Sequence, residues 1–296
     1  MVHKPVMLNE VIKYLNIQPK AKIIDATLNG GGHTRGILEK YQDVKVLGIE
    51  YDPDIFQEFK SESLNPKLES RIIIVNDSYI NLRSIVEKYN FRPDGIIFDL
   101  GLSSWHYEKS GRGFSFMRDE PLDMRFNPGD KTRTAADVIN TVPEEEIEEI
   151  LRLYGEEGFF KEISKNIVKA RKIKPIIKTT ELVDVIMNSV PGWYKRKKIH
   201  PATKTFQALR IAVNGELENV ENGVLMAIDV LKSGGRLIVI SFQGLEDKIV
   251  REIFKQKAIA GTIKWVIKGT VKPKWSEIKE NPRARSAKMK IVEKTA

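Results

Sequence analysis

Four short, continuously apolar runs near the start of the chain constrain its fold more than any other feature. They are Lys22–Ala26, Val44–Glu50, Arg71–Asn76 and Asp94–Leu100, and stretches of helical character separate them, for example Thr34–Lys40 and Asp54–Ser63. Strand alternating with helix argues for βαβ units and a parallel sheet. The runs lack a polar alternation, as strands buried on both faces do. The pattern then stops for more than a hundred residues, until Arg236–Phe242. That gap is too long for a single connection, so Gly111 to about Lys198 reads as a helical insertion. Within it, Thr141 and Glu144 have capping-box spacing, with Pro143 in the first turn of the helix they would open. The chain returns through helices Thr203–Leu217 and Asn219–Leu231, and Lys232-Ser233-Gly234-Gly235 stops the second. Thr262–Ile267 and Lys288–Glu293 suit an antiparallel edge. Ahead of the first strand, Val11 and Leu15 mark one face of a short amphipathic helix.

Composition narrows the partners. Lys and Arg outnumber Asp and Glu by 49 to 40, for a net charge of +9 and a pI near 9.4. Such a balance favours a polyanion, nucleic acid ahead of membrane. The absence of cysteine excludes disulfides, thiol nucleophiles and thiolate metal sites, and suits the cytoplasm. No apolar run approaches the ~20 residues of a membrane span. The four histidines, His3, His33, His106 and His200, have no metal-ligand spacing, so no metal is expected.

The first strand ends in Asp25-Ala26-Thr27-Leu28-Asn29-Gly30-Gly31-Gly32-His33-Thr34. The glycines let backbone approach a ligand, and Asn29 tolerates the left-handed region. Neither G-x-G-x-x-G nor the Walker pattern is present. What remains is acidic–x–x–x–Asn–x–Gly, close to the acidic–x–x–x–Gly–x–Gly loop of methyltransferases; alone, it reads equally well as a structural turn. Glu50 closes the second strand 19 residues after Gly31, where an acid accepts both ribose hydroxyls of a nucleoside. Asp99 follows the fourth run, at the edge where open α/β sheets bind ligands. It suits either a ligand ammonium or an exocyclic amine about to be methylated. Asp77 and Tyr79 can flank an adenine, Tyr79 by stacking; a buried structural tyrosine is the equal alternative.

Across nearly its whole length the chain resembles the bacterial ribosomal RNA small-subunit methyltransferase H family, also called MraW. The likeness runs through His3-x-Pro5-Val6, Asp25-x-Thr27 with Gly31-Gly32-His33, and Asp94-Gly95-Ile96 with Asp99-Leu100-Gly101. It continues in Arg112-Gly113-Phe114-Ser115-Phe116, Pro121-Leu122-Asp123-Met124-Arg125 and Tyr154-Gly155-Glu156-Glu157. It ends through His200-Pro201-Ala202-Thr203, Thr205-Phe206-Gln207-Ala208, Ile240-Ser241-Phe242 with Leu245-Glu246-Asp247, and Asn281-Pro282-Arg283-Ala284-Arg285-Ser286. The resemblance implies a Rossmann-like class I S-adenosylmethionine-dependent methyltransferase, α/β, with an inserted helical domain. Its division would be a methyltransferase domain in 1–108 and 201–296, interrupted at 109–200 by a helical RNA-recognition insertion. The implied reaction is N4-methylation of the decoding-site cytidine of 16S rRNA, within the small ribosomal subunit. The implied cofactor contacts are Gly31, Gly32, His33, Glu50, Tyr79, Asp99 and His106. Asn29, Glu50 and His106 stand where the family usually has Gly, Asp and Gln. Phe242-Gln243-Gly244-Leu245 replaces Phe-His-Ser-Leu, which touches the expected contacts to the target base.

A direct transfer needs orientation and desolvation rather than a metal. Cytosine's amine is a weak nucleophile until an acceptor localises its lone pair; Asp99 is the first candidate, with Ser103 behind it. The candidate RNA contacts are Arg112, Arg125, Lys204, Arg283 and Arg285. Around them lie three basic groups: Lys161, Lys165, Lys169, Arg171, Lys172 and Lys174; Lys195-Arg196-Lys197-Lys198; and Arg283, Arg285, Lys288 and Lys290. These neutralise phosphates without reading sequence, though at helical spacing a solvated face explains the first group equally well. Arg112–Phe126 mixes arginine with phenylalanine, which suits an unstacked base or a lid packed by its own phenylalanines. Two rival functions remain open: an RNA-binding assembly factor that has lost catalysis, and a nicotinamide oxidoreductase.

Overall fold

The computed structural model describes residues 5–62 and 66–295. His3, at the head of the resemblance, and Ser63, the expected end of a helix, lie outside the described residues. The chain divides into two compact units, residues 1–103 with 217–296, and 104–216.

The first unit carries one seven-stranded sheet. Its strands are β1 (Lys22–Asp25), β2 (Lys45–Glu50), β3 (Ile72–Asn76), β4 (Gly95–Asp99), β5 (Arg236–Ser241), β6 (Ile263–Trp265) and β7 (Lys288–Lys294), in the spatial order β3-β2-β1-β4-β5-β7-β6. The first five run parallel; β7 is antiparallel to β5, and β6 to β7. This is the order of a Rossmann-like class I methyltransferase. The apolar runs now have a reason. Ile24, Leu47, Ile49, Ile96 and Phe98 point to one face, under Val220, Val224 and Ile228 of the helix Glu216–Val230. Ile23, Val46, Ile97, Ile238 and Ile240 point to the other, under Val11 and Leu15 of the helix Leu8–Leu15 and Ile37 of the helix Gly32–Lys40. Alternate side chains enter opposite cores, so no position along a strand is free to be polar.

The second unit is helical: Ala135–Thr141, Glu144–Gly155, Phe160–Arg171, Thr179–Ser189 and Ala202–Asn214 are its longer helices. Glu144–Gly155 lies tightly on Ala202–Asn214, since a Cβ at Gly155 would stand 2.8 Å from the Lys204 carbonyl. Two sequence expectations are corrected. The capping box is Thr134 with Asp137; Thr141 instead closes that helix, its hydroxyl donating to the Asp137 carbonyl at 2.7 Å. The next helix starts at Glu144 behind Pro143, without a side-chain cap. The helix Ala202–Asn214, expected in the returning methyltransferase segment, falls in the compact unit of residues 104–216. It packs against Glu144–Gly155, Ala135–Thr141 and Thr179–Ser189.

Among the described residues, no helix is long and apolar enough to cross a membrane.

Candidate active site

Three acids stand at the carboxyl ends of adjacent parallel strands: Asp25 on β1, Glu50 on β2 and Asp99 on β4. All three are buried. From Asp25 the chain turns through Ala26–Gly31 into the helix Gly32–Lys40. Asn29 and Gly31 take left-handed backbone, at φ +49° and +70°. A Cβ on Gly31 would come within 2.1 Å of the Phe59 ring. The helix has no side-chain cap, so its first N–H groups need partners from the loop, water or a ligand.

Glu50 ties this loop to the strand tips. Its Oε2 accepts from the Asn29 amide at 2.7 Å and its Oε1 from the Asp52 amide at 2.9 Å. Asp99 is held at its backbone, whose amide donates to Thr27 Oγ1 at 2.7 Å, and its Oδ1 accepts from the Gly101 amide at 3.2 Å. Its Oδ2 lies 3.8 Å from His33 Nδ1. The other ring nitrogen of His33, Nε2, donates to the Val6 carbonyl at 2.9 Å. Burial lowers the His33 pKa, so the ring is neutral at pH 7 and its contact with Asp99 is not an ion pair. Asp25 Oδ2 accepts from Thr34 Oγ1 at 2.7 Å, while Oδ1, equally buried, has no hydrogen-bond partner among the described residues.

Loss of water dominates the electrostatics. It pushes Asp25 up to about 6, Asp99 to about 7 and Glu50 to about 8. Three desolvated acids at one sheet edge call for a cation and for hydroxyl donors. S-adenosylmethionine carries both, in its ammonium and sulfonium charges and its ribose hydroxyls. The residues therefore fit that cofactor: Gly31 and Gly32 for backbone approach, Glu50 for the ribose, Asp99 and the orphan oxygen of Asp25 for positive charge.

The other candidate residues divide. Tyr79 serves the core: its ring meets Phe98 edge-on at 5.3 Å and fills the space over Gly223, where a Cβ would stand 2.5 Å away. Ser103 is buried at the end of the loop after β4. His106 belongs to the helical unit, buried between Phe114 and Phe126 with ring centroids 5.0 and 5.2 Å away. Arg112 is buried, and its guanidinium donates to the carbonyls of Arg125 and Phe126 at 2.9 and 2.7 Å. Arg125 forks onto Asp123 and donates to the Asp130 carbonyl. Lys204 donates to the Glu156 carbonyl at 2.6 Å. These three cations, expected on RNA, each hold a hydrogen bond within their own unit. The phenylalanines of the same loop pack inward, Phe116 stacking on His200 at 4.8 Å. In the C-terminal group Lys290 is buried and paired, with Lys288, to Asp247. Arg283 and Arg285 are exposed.

Sequence reasoning did not place Asp25 among the site residues, although it opens the loop motif; only burial distinguishes it from a turn-capping acid. Gln243 precedes the helix Gly244–Ile259, where Glu246 accepts from the amides of Phe242 and Gln243. Its side-chain Oε1 is buried and without a partner among the described residues. At Gly244 a Cβ would meet nothing within 4 Å, so the serine usual in the family would fit.

Residues 1–295 match the model of the MraW methylase family. Ribosomal RNA small subunit methyltransferase H of Dictyoglomus thermophilum is 44% identical over 99% of this chain and 97% of its own length. The protein of that name from Persephonella marina is 41% identical over 99% of both chains. The chain thus belongs to the MraW methylase family and is an S-adenosylmethionine-dependent methyltransferase.

Proposed function

We propose that the protein methylates N4 of the decoding-site (P-site) cytidine of 16S rRNA, in the cytoplasm, on RNA assembled in the small ribosomal subunit. The single observation that carries the reading is the set of buried acids at three adjacent strand tips, Asp25, Glu50 and Asp99, in a chain of this family. The similarity to proteins named ribosomal RNA small subunit methyltransferase H supports the substrate. An assembly factor without catalysis would have no need to bury three acids beside a ligand loop, so the active enzyme is the better reading.

When bound, S-adenosylmethionine supplies an electrophilic methyl group. Glu50 takes the ribose hydroxyls. Asp99 acts as the hydrogen-bond acceptor that localises the lone pair on the cytosine amine, with Ser103 behind it. In the empty site Asp99 is close to half protonated at pH 7. An arriving positive charge lowers its pKa and leaves the carboxylate free to accept. The base leaves its stack to reach this edge. Gln243, with an unsatisfied acceptor oxygen, stands in for the family histidine on the side of the target base.

The test is to methylate small subunits from a strain lacking this protein and to locate the methyl by mass spectrometry. Methyl on any other base overturns the substrate. Asp99→Asn should cut transfer at least tenfold; turnover near normal at saturating cofactor sinks the role of Asp99.

A further inference from the structure

Trp193 is 54% exposed, in the short helix Gly192–Lys195. Its seat is built. The indole meets Tyr194 edge-on at 5.7 Å and Phe159 at 5.8 Å. Tyr194 in turn is anchored: its hydroxyl donates to the buried Glu157 carboxylate, 2.9 Å from Oε1, and the same carboxylate accepts from the Phe159 amide at 3.0 Å. An aromatic ring held this way loses little freedom on binding.

Charge surrounds the ring. Lys195, Arg196, Lys197 and Lys198 are all exposed, and among the described residues none is held in an ion pair. The Lys197 ammonium lies 4.9 Å from the Trp193 ring centroid and 4.8 Å from that of Tyr194. Phe159 precedes the helix Phe160–Arg171, on which Lys161 and Lys165 are exposed about one turn apart. The exposed acids in this stretch are Glu156 and Glu162. A fixed aromatic face with exposed cations beside it matches a base with its flanking phosphates, the pattern of single-strand binding. A membrane-inserting patch needs a broad apolar face, and among the described residues from Val190 to His200 the other large exposed hydrophobic is Ile199.

We infer that Trp193, with Lys197 and its basic neighbours, is a stacking site for an unpaired base of single-stranded RNA, separate from the base that is methylated. The inference rests on the rRNA reading above. It assigns the insertion one anchoring nucleotide, recognised by its π-face and phosphate rather than by its base edge.

Indole fluorescence tests it. A short single-stranded oligouridylate should quench wild-type fluorescence saturably, and the quench should vanish in Trp193→Phe. Trp193→Ala should weaken binding about fivefold or more, and Trp193→Phe should recover most of that loss, since a phenyl ring still stacks. Lys197→Ser should lower the salt slope of binding by about one. Unchanged affinity in Trp193→Ala overturns the site. So does equal quenching by duplex RNA of matching sequence, or quenching by anionic phospholipid vesicles but not by the oligonucleotide. Wild-type protein that stacks RNA on Trp193 yet leaves the decoding-site cytidine unmethylated would sink the proposed function and uphold this site.

Discussion

The Thr34 hydroxyl donates a 2.7 Å hydrogen bond to Asp25 Oδ2, while Asp25 Oδ1 has no hydrogen-bond partner among the described residues. It joins the first turn of a helix to the tip of the first strand across the glycine loop. Replacing Thr34 with valine keeps the shape and removes the donor. A buried acid left without it costs about 1–3 kcal/mol, so the unfolding midpoint of the empty protein should fall, as differential scanning calorimetry would read. Cofactor should recover part of the loss by binding only the folded state.

The three acids give that stability a pH dependence of unusual sign. Their folded pKa values, about 6, 7 and 8, lie above those of an unfolded chain. Through these acids the folded state binds more protons between about pH 4 and pH 8, and their contribution to stability falls as pH rises through that window, against the opposite contribution of His33, whose pKa burial lowers. Denaturant titrations of the cofactor-free protein at pH 5 and pH 8 should show the lower midpoint at pH 8. Asp25→Asn should flatten the difference, and an unaltered pH profile in that variant would contradict the burial argument.

Above pH 8, where Glu50 is a carboxylate, Glu50→Gln keeps one acceptor oxygen but removes the second and the charge. The ribose would lose a charge-assisted bond, so cofactor affinity measured by calorimetry should drop about tenfold, equivalent to ~1.4 kcal/mol. The Asn29 amide would compete for the remaining oxygen, since it donates to Glu50 in the empty site.

Two glycines should respond oppositely. Gly31→Ala meets both a left-handed φ and the Phe59 ring, and should lose stability and cofactor affinity together. Gly244→Ser enters open space at the start of a helix and should leave the unfolding free energy within about 0.5 kcal/mol of wild type.

Arg112 and Arg285 look alike in sequence but should behave differently. Arg112→Ala removes the donor to the Arg125 and Phe126 carbonyls and should destabilise the helical unit, visible as faster hydrogen exchange in its loop. Arg285→Ser should leave exchange unchanged while weakening RNA binding, with a salt slope lower by about one.

The parallel sheet was legible because β1, β2, β4 and β5 bury both faces, which writes an uninterrupted apolar run. Glu50 and Asp99 were legible because a carboxylate that ends such a run reaches the ligand edge of the sheet. Asp25 escaped, since its burial and unpaired oxygen come from the loop folding over it. The helical unit was harder. Thr141 has capping spacing to Glu144, yet its hydroxyl is spent on the carbonyl four residues back, and the true cap at Thr134 looks no stronger on paper.

Local pattern, then, determined the layers, the glycine loop and the strand-tip acids Glu50 and Asp99, because strand and helix periodicities act over a few residues. Tertiary structure decided what each charged or aromatic side chain does. Arg112 and Trp193 show why. The arginine, expected at a phosphate, found two backbone carbonyls and became a strut. The tryptophan, unremarked in the sequence, was left facing solvent among unpaired lysines. Which partner a long side chain meets depends on residues far away along the chain, and only folding brings those into reach.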